Sequence, residues 1–177
     1  MRNFTEFERL SLTIQFASLE KVDPDGGWGK FKRILRHGYT WEYPKVWQWL
    51  DVEVVESDCA FVVDVLTMFA AIQKPILGDP KMPKMPSARL CPGFDGNGEP
   101  QLLGYCSYLV EEAGCWKDIK FTMPDKDSHI PTRGMYARML AQWAEQGKKS
   151  DLSQAEIAAI LAERVHPENR APLKPKS

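Results

Sequence analysis

Residues 91–105 read CPGFDGNGEPQLLGY and join a glycine-rich turn directly to an apolar helical pattern. Glycine supplies the positive φ or the close backbone approach that a tight turn needs, and proline suits the first turn of a helix because its missing N–H is not needed there. The pattern therefore predicts a turn over 92–99 and a helix from about 100 to 113 that ends at Gly114. We expect the rest of the chain to be arranged around this junction.

The same turn carries polar side chains at alternate positions, Asp95, Asn97 and Glu99, as the first ligands of a calcium-binding loop do. The remainder of that motif is absent, because Pro100 stands at the glycine position and Cys106 at the position of the bidentate Glu. Asp and Asn in glycine-rich turns commonly hydrogen-bond their own backbone. We therefore interpret these residues as a structural turn and predict neither a metal nor a cofactor.

Length and composition fit a soluble globular protein. The 177 residues are 44 % apolar and 27 % charged, and the formal net charge of −1 provides no general attraction to nucleic acid or to an anionic membrane. Four cysteines occur without a CxxC motif and without a secretory signal, which is typical of reduced thiols in a cytoplasmic protein. The longest apolar run, residues 59–72, is too short to span a bilayer and contains Asp64.

Helical periodicity and capping residues recur along the chain. Thr5 and Glu8 form a capping box for a first helix that extends to about residue 20. The stripe of this helix that we expect to face inward consists of Phe7, Leu10, Ile14 and Ala17, and Leu12, Phe16 and Leu19 widen it. A helix over 56–73 is apolar almost all round and should be the most buried. Further helices are predicted over 28–37 and 132–146 and, from a capping box of Ser153 with Glu156, up to His166.

Two segments do not fit helices. Prolines at positions 75, 80, 83 and 86 exclude a helix or a central strand from 74–92 and predict an extended loop. The tail 167–177 is expected to be disordered. The prediction is therefore one all-α domain over residues 1–166, with about six to seven helices.

Aromatic residues are crowded between positions 41 and 49, where the chain has Trp41, Tyr43, Trp47 and Trp49. Helical residues are about 100° apart, so one helix cannot turn all three tryptophans towards the same side. Part of this aromatic area should then reach the surface, where large apolar patches mark interfaces. We predict a homo-oligomer, most simply a two-fold dimer, with this segment at or near the contact. The alternative is that neighbouring loops cover the tryptophans.

The second helix carries a basic arc that consists of Lys30, Lys32, Arg33 and Arg36. Next to Trp28 and Phe31, these cations form a combination that can bind single-stranded nucleic acid. The same residues are equally typical of a solvated helix face, and the chain as a whole is not basic. We favour the solvated face and keep RNA binding as the weaker alternative.

A loose set of polar residues remains as a candidate for catalysis: Asp95 and Glu99 in the central turn, and Asp127, His129 and Arg133 before the helix at 132–146. A histidine beside a carboxylate can act as an acid–base pair. The spacing does not show whether these segments meet, and no G-x-S-x-G, Walker or G-x-G-x-x-G motif is present. The histidines lie far apart without ligand spacing, which argues against a zinc site: His37, His129 and His166.

Several short motifs together resemble one known family. They are Ile14-Gln15, Gly38-Tyr39, Gly93-Phe94-Asp95, Gly104-Tyr105, Tyr136-Ala-Arg138-Met139-Leu140 with Trp143, and the cap from Leu152-Ser153 to Glu156-Ile157. Over residues 5–163 the chain resembles the YfbU family of small bacterial helical proteins. The resemblance implies an all-α fold, a helical hairpin joined to a larger helical part, and a cytoplasmic location, and it implies no activity. The proline-rich segment 75–92 departs from the family pattern.

Two classes of function follow from these observations. The hypothesis that we favour is a helical interaction or scaffold protein, which self-associates or binds a protein partner through residues 41–49 or the proline loop. The second hypothesis is a hydrolase or a nuclease-like enzyme, which requires that Asp95, His129 and Arg133 line one cleft.

Overall fold

The computed structural model describes residues 3–48, 50, 52–77 and 85–169. Within these ranges helical residues of all types make up 64 %, and pairing between extended segments is confined to two isolated bridges. The all-α prediction is therefore confirmed. Parts of the predicted loop and tail, residues 78–84 and 170–177, lie outside the described residues.

Seven α-helices occur in the described ranges: α1 (Glu6–Val22), α2 (Trp28–His37), α3 (Tyr43–Trp47), α4 (Glu56–Leu77), α5 (Pro100–Ser107), α6 (Arg133–Glu145) and α7 (Gln154–Ala162). A π-helical segment, Tyr108–Glu112, continues α5. Short 3-10 turns lie at Pro24–Gly26, Thr40–Glu42, Ser87–Arg89 and Pro167–Asn169. Both predicted capping boxes are present, with Thr5 at α1 and Ser153 at α7.

The chain divides into two compact units, Met1–Glu53 and Val54–Ser177. The first contains α1 to α3, and the second contains α4 to α7. Each unit has its own cluster of buried apolar side chains, drawn from that unit alone.

In the first unit, α1 and α2 form a hairpin in which α1 is covered on one side only. Leu12 and Phe16 of α1 lie against the small core around Phe31 and Leu35. The stripe predicted to face inward instead faces solvent, with Phe7, Leu10 and Ile14 exposed by 79 %, 61 % and 58 %. The physical reason is that α1 is apolar on two sides, and α2 can cover only one of them.

In the second unit, α4 is the central helix, as predicted. Its buried residues are Val62, Val65, Leu66, Met68, Phe69, Ala71, Ile72, Gln73 and Ile76. The helix continues through Pro75 to Leu77, which corrects the prediction that no helix enters 74–92. Pro75 has no N–H to donate to the carbonyl four residues before it, and the helix ends only two residues later, at Leu77.

Gln73 fastens this end of α4 to two other segments. Its buried side-chain amide donates to the carbonyls of Arg89 and Lys120, at 2.9 Å each, and its carbonyl accepts from the Lys120 N–H at 2.8 Å. All the hydrogen-bonding groups of the amide are therefore used. This clamp helps to hold the chain before the central turn against α4.

By length and composition alone, α4 passes the test for a membrane span, although the apolar run in the sequence predicted a segment too short to cross a bilayer. Half of its most apolar window is buried inside the structure. The side chains responsible contact α5, α6 and α7 in one hydrophobic cluster. The core helix of a soluble protein has these properties.

Candidate functional site

The central turn is held beside residues 120–128 by backbone hydrogen bonds. The N–H of Phe94 donates to the carbonyl of Lys126 at 3.0 Å, and the N–H of Ser128 donates to the carbonyl of Phe94 at 3.1 Å. Gly93 has a φ of +87°, and a Cβ at this position would lie 1.7 Å from the carbonyl oxygen of Lys126. No other residue type fits here, because both the conformation and the close approach require glycine.

The structure brings the predicted polar set together around this turn. Asp95 accepts hydrogen bonds from the N–H groups of Asn97 and Gly98, at 3.2 and 3.1 Å. This is the self-bonded turn that the sequence predicted. Asp127 accepts from the N–H groups of Gly96 and His129, at 3.1 and 2.8 Å. The two segments whose meeting the spacing left open therefore do meet.

Glu99 connects the turn to the start of α6. Its carboxylate is buried and accepts from the N–H of Thr132 at 3.0 Å, the hydroxyl of Thr132 at 2.9 Å and the N–H of Arg133 at 2.7 Å. These N–H groups are among those that a helix leaves unpaired at its N-terminus, where a negative charge is favourable. Glu99 therefore acts as a helix cap supplied from a distant part of the sequence.

Arg133 and His129 point to different surroundings. The Arg133 guanidinium lies 2.5 Å from Asp58 of α4 and 5.2 Å from the Phe61 ring centroid. The hydrogen bond to Arg133 lowers the pKa of Asp58, and the same bond raises the pKa of Arg133. His129 is largely exposed, with Nδ1 at 3.4 Å from Asp127.

These contacts limit the chemistry that the polar set offers. Backbone hydrogen bonds from His129 and Gly96 lower the pKa of Asp127, which makes it a weaker base. Asp95 and Glu99 are committed to backbone donors. In the described ranges, no group of three His, Cys, Asp or Glu side chains is placed to hold a metal ion. The geometry accounts for the set as the support of a turn, and catalysis stays a prediction.

Buried groups behind the turn are also structural. The Tyr136 hydroxyl donates to the Gly93 carbonyl at 2.9 Å and lies 3.7 Å from the Cys91 sulfur. Burial raises the pKa of the Tyr136 phenol well above its usual value. It also raises the pKa of the Cys91 thiol to about 11 and that of Cys106 to about 12. Both thiols are therefore protonated at neutral pH and unreactive.

The four aromatic residues proposed for an interface have different environments. Trp41 is 82 % exposed, whereas Tyr43 is buried, with its ring centroid 4.8 Å from that of Phe4. Trp47 is half-buried and stacks on Phe4 at 4.5 Å. Trp49 lies outside the described residues. Tyr43 cannot be a surface contact in this structure, because α3 begins at Tyr43 and packs it into the core of the first unit.

The larger exposed apolar surface of this unit is on α1. We call Phe7, Leu10, Ile14 and Ala17 the α1 apolar face; the first three are well exposed, and Ala17 is half-buried. The sequence contained this stripe but could not show that it faces outward. The orientation depends on the second apolar side of α1, at Leu12 and Phe16. This side packs against the core of the first unit and leaves the α1 apolar face exposed.

The basic arc of α2 is partly neutralised. Lys32 forms an ion pair with Glu20 of α1, and the Lys30 ammonium lies 4.7 Å from the Phe31 ring centroid. Lys30 and Arg33 line a shallow cavity of about 480 Å³ that also contains Glu20. Arg36 is exposed at the end of α2. The acidic residue among these cations weakens an anion site there.

A cavity of about 650 Å³ lies in the second unit. Ala70, Ala71 and Leu77 of α4 form one wall. The other two walls come from the loop after α5 and from the end of α6 with the residues just after it: Trp116, Asp118, Ile119, Trp143, Lys148 and Ser150. Sequence analysis missed this cavity because its lining comes from three separate parts of the chain, none of which carries a motif.

Comparison with known proteins gives one consistent result. The model of a family described as the YfbU domain matches residues 2–162. A UPF0304 protein of the archaeon Methanocaldococcus jannaschii is 27 % identical over 165 residues, covering 89 % of this chain and 98 % of the relative. A UPF0304 protein of the bacterium Pasteurella multocida is also 27 % identical, covering 89 % of this chain and 97 % of the relative. These similarities therefore extend to proteins beyond bacteria, and neither relative's name states an activity.

Proposed function

This chain belongs to the YfbU family, and we propose that it is a helical interaction protein whose copies pair through the α1 apolar face. The proposal is carried by the exposure of Phe7, Leu10 and Ile14 on a helix that has no buried residue. Large apolar side chains at helical spacing on an exposed face are typical of interfaces.

The face has the spacing of a coiled-coil seam, with steps of three and four residues between Phe7, Leu10, Ile14 and Ala17. It is complementary to itself when a second copy lies antiparallel. Phe7 then faces the small Ala17 of the second copy, and Leu10 faces Ile14 of the second copy. The two-fold axis repeats both contacts, so each of the four side chains of one copy faces an apolar side chain of the other copy. A second copy is therefore the occupant that suits this face.

Charge supports the same orientation. The first turn of α1 carries Glu6 and Glu8, and its last turn carries Lys21. In an antiparallel pair the acidic end of one copy lies beside Lys21 of the other, and the two helix dipoles oppose each other favourably. A parallel pair would instead place the two Lys21 side chains together.

The size of the face predicts a weak dimer. A helix of 17 residues is about 25 Å long and about 10 Å wide. This strip is smaller than the roughly 800 Å² per partner of a standard interface. Trp41 adds exposed aromatic surface in the same unit. We expect a reversible dimer with a Kd on the order of micromolar.

Sedimentation equilibrium of the full chain between about 1 and 100 µM tests the proposal. Leu10→Glu and Ile14→Glu should each give a monomer throughout this range, because pairing would bury a charge in the seam. Both positions are exposed, so stability should change by at most about 0.5 kcal/mol. Ile130→Glu is the matched control, since Ile130 is 66 % exposed in the second unit. A monomeric wild type, or equal loss of pairing in the control, would contradict the proposal.

A charge exchange tests the orientation. Glu6→Lys and Lys21→Glu should each weaken the dimer, because each places like charges next to each other across the interface. The double variant should restore the dimer, because residue 6 of one copy and residue 21 of the other again carry opposite charges. A double variant that pairs no better than the single variants would exclude the antiparallel arrangement.

The proposal includes a cytoplasmic location. All four cysteines are free thiols, and those of Cys91 and Cys106 are buried. A reducing compartment keeps such thiols free. Fractionation of cells that express the tagged chain provides the test, and recovery in the membrane or secreted fraction would contradict this part of the proposal.

A further inference from the structure

We propose that the cavity of the second unit binds a small molecule with a flat aromatic ring system, an anionic group and at least one N–H or O–H donor. The proposal is independent of self-association, because the α1 apolar face belongs to the first unit. It follows from the size, the half-buried indole ring of Trp116 and the charges of the cavity.

Size and wall composition fit a small-molecule site. The volume of about 650 Å³ is within the range of roughly 300–1,000 Å³ that such sites occupy. The wall from α4 is apolar at Ala70, Ala71 and Leu77. Ile119 adds a further apolar side chain to the lining. A few polar groups stand among these apolar ones, which is the usual composition of a ligand pocket.

The indole ring of Trp116 indicates a flat aromatic ligand. Trp116 is half-buried in the loop after α5 and lines the cavity. Trp143 also lines the cavity but is only 2 % exposed, with its N–H bonded to the carbonyl of Lys149 at 3.0 Å and the Lys148 ammonium 5.8 Å from its ring centroid. Aromatic rings bind other aromatic rings by stacking or by edge contacts. The exposed part of Trp116 therefore favours a planar ring over a branched aliphatic ligand.

The charges of the lining favour an anion. Lys74 and Lys148 line the cavity, and Asp118 is the acidic residue among the lining residues. The carboxylates that pair with the two lysines, Asp151 at 2.5 Å and Asp64 at 2.8 Å, do not line it. All four of these side chains are well exposed, and exposed ion pairs contribute little to stability. A ligand anion can therefore replace either carboxylate.

Asp118 and Ser150 are exposed lining residues, and each can accept a hydrogen bond from a donor on the ligand. Neither side chain forms a hydrogen bond with another side chain or backbone group in the described part of the chain. A bare anion would be repelled by Asp118, whereas a ligand hydroxyl or amino group can donate to it. The ring, the anionic group and the donor together match the lining.

Isothermal titration calorimetry on the full chain tests the proposal with four probes: adenosine monophosphate, indole-3-carboxylate, adenosine and inorganic phosphate. The two aromatic anions each combine a flat ring system with a negative charge. We expect adenosine to bind at least about 10-fold more weakly than its monophosphate, since it lacks the anion. Phosphate alone should not bind, since it lacks the ring. If neither aromatic anion binds, or if adenosine binds as tightly as the monophosphate, the proposal is wrong.

Variants assign the binding to this cavity. Lys148→Met and Lys74→Met should each weaken binding of the better anion by about 5-fold or more, because each removes one ammonium group. Lys149→Met is the matched control, since Lys149 pairs with Glu156 and does not line the cavity. Two lysine variants are used so that a folding defect in one leaves the other informative, and thermal unfolding checks both. Unchanged affinity in both folded variants, or an equal loss in the control, would overturn the assignment.

Discussion

At the scale of single residues, Gly93 shows how the central turn depends on one missing side chain. Its φ of +87° and the carbonyl of Lys126 leave no room for a Cβ. The carbonyl of Gly93 in turn accepts from the Tyr136 hydroxyl at 2.9 Å, and the Thr132 hydroxyl, which donates to Glu99, lies 3.1 Å from it. A shift of the backbone here would therefore disturb three segments at once.

We predict that Gly93→Ala lowers the free energy of unfolding by at least about 3 kcal/mol, because it adds a steric clash to an unfavourable φ. Urea denaturation measures the change. Gly104→Ala is the matched control: Gly104 lies inside α5 with no atom within 4 Å of an added Cβ. This variant should be more stable than the wild type by about 0.5–1 kcal/mol. Equal effects of the two substitutions would refute the role given to Gly93.

Glu99 is the second residue with a structural role that the sequence could not assign. Glu99→Gln keeps the size of the side chain and removes one acceptor oxygen and the charge. We predict a loss of about 2–4 kcal/mol, because the negative charge at the start of α6 is lost and the buried N–H of Asp95, which Oε2 accepts at 3.3 Å, then faces an NH2 group. The exposed Glu112 provides the control, and Glu112→Gln should change stability by less than about 0.5 kcal/mol. A loss under 1 kcal/mol for Glu99→Gln would show that the cap is dispensable.

At the scale of the helix, two phenylalanines of α4 differ in how deeply they are buried. Phe69 is fully buried, with Tyr136 packed edge-on at 5.8 Å, whereas Phe61 is only partly buried. Phe69→Ala should cost about 3–5 kcal/mol through lost burial and a cavity. Phe61→Ala should cost less, about 1–2 kcal/mol, because less surface returns to water. Chemical denaturation of both variants checks the order, and a larger loss at Phe61 would contradict it.

The capping box of α7 predicts that the stability of the folded protein depends on pH. The Glu156 carboxylate accepts from Lys149 and from the N–H and hydroxyl of Ser153, and these contacts lower its pKa to about 2. The folded pKa lies below the unfolded value of 4.5, so the stabilisation is complete above about pH 5 and is lost as the pH falls through about 2. A carboxylate titration by NMR measures this pKa. Lys149→Met should raise it towards 4.5, and an unchanged value would contradict the assignment.

At the scale of the whole molecule, the two units differ in their capacity to fold alone. The second unit contains the larger cluster, drawn only from its own helices. Among its described residues, the first unit has six buried apolar side chains, which is few for a domain of about 50 residues. We predict that residues 54–177 expressed alone unfold cooperatively, whereas residues 1–53 alone show no cooperative transition. Circular dichroism during thermal unfolding distinguishes these outcomes, and loss of helix in the larger fragment would refute the prediction.

Much of the helical structure was readable from local patterns. The capping boxes at Thr5 and Ser153 and the stop at Gly38 depend on residues within one or two turns, so the sequence alone places these helix ends closely. The apolar run of α4 was long enough to predict a central helix. The proline rule misplaced the end of α4 by a few residues, because the helix continues through Pro75 and ends at Leu77.

The candidate site was readable only in part. Asp95 and Glu99 stood out as polar residues in a turn, but their partners are up to 34 residues away, so spacing could not show that they cap and brace the backbone. The outward direction of Phe7, Leu10 and Ile14 depends on which side of α1 the second helix covers. The cavity depends on three separate segments meeting. Helix formation and capping are local, because their hydrogen bonds join residues near in sequence, and the chain alone specifies them. Burial, convergence and cavity shape come from contacts between distant residues, and only the tertiary structure decides those.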